Sequence, residues 1–169
     1  YKDLLSNRYE LPWVRLHATK DYVDMAALLE QYPSIRSNFN LVPSLLAQLD
    51  DYSTGEVDDK FIELTLKKAS DLSFEDRIFI LKNFFMANWG TMVEPWPRYR
   101  ELLEKRGYTT PSDDFPRIVP FFKEQEWRDL QMWFNLTWMD PHWREHDVEI
   151  RSFFEKGKNY TELDKQVLV

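Results

Sequence analysis

The sequence predicts a mainly α-helical chain with one or two short strands. Three observations carry that expectation. Only 4 of the 169 residues are glycine, against 9 prolines, so the tight turns of a β-rich chain lack the residues that build them. Apolar side chains recur at helical spacing through most of the chain. Period-two alternation is confined to one stretch, where Ile35, Ser37, Phe39 and Leu41 share a face.

Taken in order, residues 1–19 show no clean period, and Pro12 among apolar neighbours predicts an ordered loop or short extended piece. A helix is expected from Lys20, with Met25, Leu28, Leu29 and Tyr32 on one face and Pro33 as its stop. The strand over 35–41 follows. Pro43 then opens a helix to about Tyr52, and Ser53-Thr54-Gly55 reads as a turn. Asp58 or Asp59 can cap a helix through about Ala69. Ser73 and Asp76 form a capping-box pattern ahead of the stripe Phe74, Ile78, Leu81, Phe85 and Asn88. After Pro95 and Pro97 a short helix is predicted over 98–106, stopped by Gly107, and 108–116 reads as a loop. Glu124–Met139 carries the strongest helical stripe, with Trp127, Leu130, Phe134 and Trp138 on one side. Asp140-Pro141 starts another helix to about Glu155, closed by Gly157, and Thr161 with Asp164 starts the last.

Composition removes several classes of function. With 43% hydrophobic residues the chain is not disordered, and its length suits one domain of roughly 100–200 residues. The net charge of −7 argues against nucleic acid or an anionic membrane as partner. No uncharged apolar run approaches the ~18–20 residues of a membrane helix, and no segment resembles a signal peptide. Without cysteine there is no disulfide, thiolate nucleophile or Cys-based zinc site, which leaves the redox compartment open, with the cytoplasm as the expected location. The chain starts at Tyr1 rather than Met and its last helix runs into Val169, so a piece of a longer protein is expected. Seven Trp are many for such a domain; they serve either a heavy aromatic core or platforms that stack on a sugar.

Two constellations bear on chemistry. His142-Trp143-Arg144-Glu145-His146 matches the H-x-x-E-H of inverted zinc peptidases, with Glu149, Glu155 or Glu162 as conceivable third ligands. Pro141 places His142 in the fraying first turn of a charged helix, however, so the segment reads as a solvated helix start, and no metal or cofactor is expected. His17, beside Arg15, Lys20 and Asp21, is placed to hydrogen-bond a ligand or to serve the local structure. No nucleophile elbow, phosphate loop or dinucleotide fingerprint is present.

The stretch Leu11–Met25, containing Trp13-Val14-Arg15-Leu16-His17, resembles glycoside hydrolase family 57, as does Asn38-Phe39-Asn40-Leu41-Val42-Pro43-Ser44-Leu45-Leu46. These are the α-amylase, amylopullulanase and glucanotransferase-type enzymes that act on α-glucans. Glu126–Leu136 and Lys156–Gln166 are similar to the same subgroup, so the resemblance spans nearly the whole chain. It implies an incomplete (β/α)7 barrel whose first strand carries a His-Gln-Pro motif, with Tyr1 and Lys2 just after it. The family's glutamate nucleophile and aspartate acid/base would lie beyond Val169. No residue here is therefore assigned a catalytic role, and the chain alone is expected to be inactive.

By this resemblance the chain is a fragment of a (β/α)7 barrel carrying a long helical insertion, with 1–52 as the strand-two βα region and 53–169 as the insertion. Barrel enzymes bind ligand at the C-terminal ends of strands. Asn38 and Asn40 would sit there, Trp13 would stack on a sugar from the loop after strand one, and His17, Trp89 and Trp96 complete the candidate substrate-binding set. The implied function is part of a retaining glycosidase or glucanotransferase acting on an α-glucan or maltooligosaccharide. Its partner would be the remainder of the catalytic domain. The alternative is a non-enzymatic helical carbohydrate-binding or interaction module. An isolated barrel slice would expose edges and apolar surface, so dimerisation or aggregation is expected.

Overall fold

A computed structural model describes residues 2–3, 5–55 and 57–169; Tyr1, Leu4 and Glu56 lie outside the described residues, and with Tyr1 goes half of the Tyr1-Lys2 correspondence. The described structure is mainly helical, with one small sheet. Strands β1 (Lys2–Asp3), β2 (Arg8–Tyr9) and β3 (Asp58–Asp59) lie in that order, β1–β2 antiparallel and β2–β3 parallel, with Tyr9 opposite both Lys2 and Asp59. Two-residue strands are too short to show an alternation, which is why the sequence did not reveal them.

The expected strand over 35–41 is absent. Every residue from Gln31 to Ser44 is exposed and Ile35–Leu41 joins no ladder, so the alternating side chains have neither a partner strand nor a core to face. The stretch links helix α2 (Val23–Gln31) to α3 (Pro43–Thr54) instead. The preceding helix also starts earlier than its apolar stripe suggested. Helix α1 (Trp13–His17) runs through a π-helical turn, Ala18–Tyr22, directly into α2. Ser53 and Thr54 belong to α3 rather than to a turn.

Local capping chemistry sets the other helix starts. Asp59 accepts from the amides of Phe61 and Ile62 to begin α4 (Lys60–Leu66). Ser73 and Asp76 form the reciprocal capping box of α5 (Phe74–Asn83), and Thr161 and Asp164 that of α11 (Glu162–Leu168). Between them lie α6 (Pro97–Arg106), α7 (Phe115–Ile118), α8 (Glu124–Leu136), α9 (Pro141–His146) and α10 (Val148–Lys156). The predicted Pro141–Glu155 helix is thus two helices, because Asp147 turns its side chain to the amide of Ile150 and caps a new start.

Helix α8 is the axis of the core, packing against α4, α6, α10 and α11. From Glu126 to Leu136 only Arg128 escapes burial. A helix covered on all sides must bury its polar residues with partners. Asp129 accepts from Arg98 Nε at 2.8 Å and from the Tyr160 amide at 3.1 Å. Gln131 donates to the carbonyls of Leu64 and Lys67 and accepts from the fully buried Lys165 ammonium. Around these anchors the aromatics interleave: Phe84 stacks on Phe134 at 4.4 Å and Phe85 on Tyr99 at 5.2 Å. The stripe Trp127, Leu130, Phe134 and Trp138 is buried in the core, although α8 ends at Leu136 rather than Met139 and Trp138 stands just past it.

Candidate functional site

The two π-helical turns of the described structure, Ala18–Tyr22 and Trp89–Val93, flank one cleft. Ala18–Tyr22 lies inside a continuous helix, where single π turns concentrate at functional sites, whereas Trp89–Val93 stands alone between turns. At the first, the Thr19 hydroxyl turns back onto the main chain, within 3.1 Å of the Leu16 carbonyl and 3.3 Å of the Trp138 carbonyl. Such back-bonding by a mid-helix threonine disturbs the regular ladder. The Thr19 carbonyl accepts from the Asp140 amide at 3.2 Å. At the second π turn, Asn88 accepts from the Thr91 amide at 3.2 Å, and the Thr137 hydroxyl donates to the Met92 carbonyl. The turn after α8 is therefore fastened to both.

The cleft holds about 280 Å³ and is lined by Lys20, Asp24, Thr91, Trp96, Asp140 and Arg144, with Leu136, Met139 and Phe154 as apolar floor. That volume is at the low edge of the roughly 300–1,000 Å³ common for small-molecule sites. Two cations and two carboxylates balance around it. Asp140 is buried and accepts from the His142 amide at 2.7 Å, capping α9. The Arg144 guanidinium lies 5.6 Å from the Trp96 ring centre, and its Nε is buried without a hydrogen-bond partner. The cleft thus combines balanced charges with an indole ring under a guanidinium.

Lys20 continues the polar lining out of the cleft. Its Nζ donates to Asp21 Oδ1 at 2.7 Å, and the other Asp21 oxygen accepts from His17 Nδ1. Burial raises the Asp21 pKa, but the hydrogen bonds from Lys20 and His17 outweigh it and hold the carboxyl below its ordinary value. The His17 ring meets the Trp138 ring edge-on at 5.5 Å, and Trp13 meets the same indole at 5.8 Å. On the opposite side of α1, Arg15 donates to Asn135 Oδ1 at 2.8 Å and lies 3.9 Å from Asp59. Burial lowers the Arg15 pKa, with Asp59 and Tyr52 opposing. This anchor fixes the roll of α1, so Trp13 and His17 both pack, half-buried, on Trp138.

The sequence-derived residues fall into three places. Trp13 and His17 converge on Trp138, beside the cleft that Trp96 lines. Trp13 stands on a helix rather than in a loop, and Trp96 is packed by Trp133 at 5.2 Å and Phe154 at 4.8 Å. Asn38 and Asn40 line a separate groove of about 530 Å³ with Tyr22, Met25, Leu41 and Leu45, and stand in an irregular segment rather than at a strand end. Trp89 is apart from both, donating to the Phe85 carbonyl at 2.9 Å and packing edge-on against Tyr108. Sequence reasoning named Lys20 and Asp21 only as neighbours of His17, and it missed Asp24, Asp140 and Arg144 as lining residues. Only the four-residue spacing from His17 to Asp21 carried a signal.

His142 and His146 stack at 4.4 Å on the short α9, and the Nδ1 of His146 is engaged by the His142 carbonyl. Among the described residues, no group of three or more His, Asp or Glu could hold a metal ion, and no helix is long and apolar enough to cross a membrane.

No curated protein and no solved structure matches the chain. The family model described as Glycosyl hydrolase family 57 matches residues 1–168. That match covers essentially the whole chain, and the chain belongs to glycosyl hydrolase family 57.

Proposed function

We propose that this chain forms part of a retaining glycosidase or glucanotransferase acting on α-glucans, to which it contributes scaffold and substrate-subsite walls. Family membership supports glycoside hydrolase chemistry, and the cleft lined by Trp96 and Lys20, to which His17 is tied through Asp21, is the observation that carries the subsite reading. In such an enzyme one carboxylate forms a glycosyl-enzyme and a second carboxyl assists both steps. On this reading neither group comes from this chain, which alone is inactive. Trp13 offers an apolar face to a sugar ring, and His17 and Trp96 read its edges. Asn38, Asn40 and Trp89 contact more distant units of a maltooligosaccharide.

The remainder of the catalytic domain is the proposed partner of residues 1–52, with 53–169 as the helical insertion. Met25, Tyr32, Ile35, Phe39, Leu41 and Leu46 are all exposed on α2, α3 and the segment between them, an apolar face that water does not favour.

Calorimetric titration of the chain with maltotriose tests the subsite reading. Binding in the micromolar-to-millimolar range, weakened by Trp13→Ala, is the expected result. A flat titration with maltotriose and longer maltooligosaccharides overturns it. For the parent enzyme, expression with the flanking coding sequence should release sugars with retained anomeric configuration; inversion refutes the retaining assignment.

A further inference from the structure

His17 is held on more sides than packing alone demands. Trp138 meets its ring at 5.5 Å, and Trp13 and Tyr22 lie at 6.1 and 6.4 Å. Its Nδ1 is engaged by Asp21, which Lys20 holds from the other oxygen at 2.7 Å. The Nε2 atom has no partner among the described residues and is not among the buried unpartnered atoms, so it faces water. A carboxylate accepting at Nδ1 requires the proton there, which leaves the neutral ring with a lone pair on Nε2.

We infer that Asp21 is a positioning residue that fixes His17 in the Nδ1–H tautomer, so that Nε2 accepts a hydrogen bond from a sugar hydroxyl on the surface next to Lys20, which lines the cleft. This rests on the proposed glucan reading and deepens it. Every sugar hydroxyl is a donor, whereas a carbonyl or a phosphate dianion offers only acceptors. An acceptor nitrogen beside an indole therefore selects neutral polyols, with the ring's C–H face on Trp13 and a hydroxyl on Nε2. Lys20 contributes by keeping Asp21 charged and aimed. Neither Asp21 nor Lys20 touches the sugar through the atoms used here.

The test is nitrogen-15 NMR of the His17 ring in the chain, at a pH above the ordinary imidazole range, with maltotriose as probe. Wild type is expected to show the Nδ1–H tautomer and a shift of Nε2 on adding maltotriose. Asp21→Ala is expected to release the ring toward the Nε2–H tautomer, in which Nε2 donates to a hydroxyl oxygen instead of accepting from it, and to weaken maltotriose binding about three- to fivefold, the cost of freeing the ring and reversing one neutral hydrogen bond. Asp21→Asn, which still accepts from Nδ1–H, should retain most of the affinity. His17→Asn keeps a donor near Asp21 but cannot reach the Nε2 position, and should lose as much as His17→Ala. Unchanged circular dichroism separates these effects from misfolding. A wild-type Nε2–H tautomer, or an Asp21→Ala variant binding like wild type, overturns this inference while leaving the glucan reading intact. Wild type that binds no maltotriose overturns both.

Discussion

The main-chain N–H of Asp140 donates to the carbonyl of Thr19 at 3.2 Å, joining residues far apart in sequence. The contact fastens the π turn after α1 to the turn that ends α8. With the Thr137 hydroxyl on the Met92 carbonyl, it defines the width of the cleft. Both bonds spend a helix terminus's spare groups on a neighbouring element, which turns a loose end into a wall.

Thr137→Val removes the hydroxyl at nearly constant volume and leaves the Met92 carbonyl without its donor. The expected cost is about 1 kcal/mol, or roughly 2–4 °C in Tm for a chain of this size. Differential scanning calorimetry measures it, and an unchanged Tm shows that the bond carries nothing.

Asp59 joins three jobs: it caps α4, accepts from the Tyr52 hydroxyl at 2.8 Å and opposes the buried Arg15 charge. Asp59→Ala leaves that charge uncompensated, so a loss of about 3–5 kcal/mol is expected by urea unfolding. Arg15→Met, which removes the charge and keeps the volume, should cost clearly less. Equal losses in the two variants refute the buried-charge account.

Glu126 predicts a window of acid sensitivity. Burial raises its pKa, but Lys105 at 2.6 Å and the Lys123 amide at 2.6 Å prevail and hold it below the ordinary glutamate value. A carboxyl depressed in the folded state binds its proton more readily when unfolded. Its contribution is therefore complete above the unfolded value, roughly 4.3, and is lost as pH falls through the lower folded one. The urea midpoint of wild type should fall below about pH 4.3, and Glu126→Gln should flatten that part of the profile. Identical profiles for the two proteins reject the assignment.

Gly107 ends α6 at a φ of +90°, and a Cβ there would come within 2.1 Å of Thr110 Oγ1. Strain at a disfavoured φ and the clash act together, so Gly107→Ala is expected to cost about 1–3 kcal/mol. Adding Thr110→Ala should recover the part due to the clash. No recovery in the double variant places the whole effect in the backbone.

The exposed apolar face around Leu41, which is 68% accessible, predicts self-association of the isolated chain. Light scattering should show mass rising with concentration, and Leu41→Glu should suppress the rise. A strictly monomeric wild type contradicts the proposed docking face.

The elements that the sequence alone determined are those written in local chemistry. Ser73 with Asp76, and Thr161 with Asp164, cap helices through bonds spanning three residues, so no tertiary contact is needed to foresee them. The stripe from Trp127 to Trp138 likewise declared a buried helix, because burying that much aromatic area is favourable in any compact arrangement. Residues 35–41 show the opposite case. Their alternation satisfies a strand locally, but a strand exists only where another pairs with it, and here none does. The cleft was equally illegible. Thr19 and Asp140, or Trp13 and Trp138, meet only because α1 rolls until Arg15 finds Asn135 and Asp59, a long-range electrostatic fit that no spacing rule encodes.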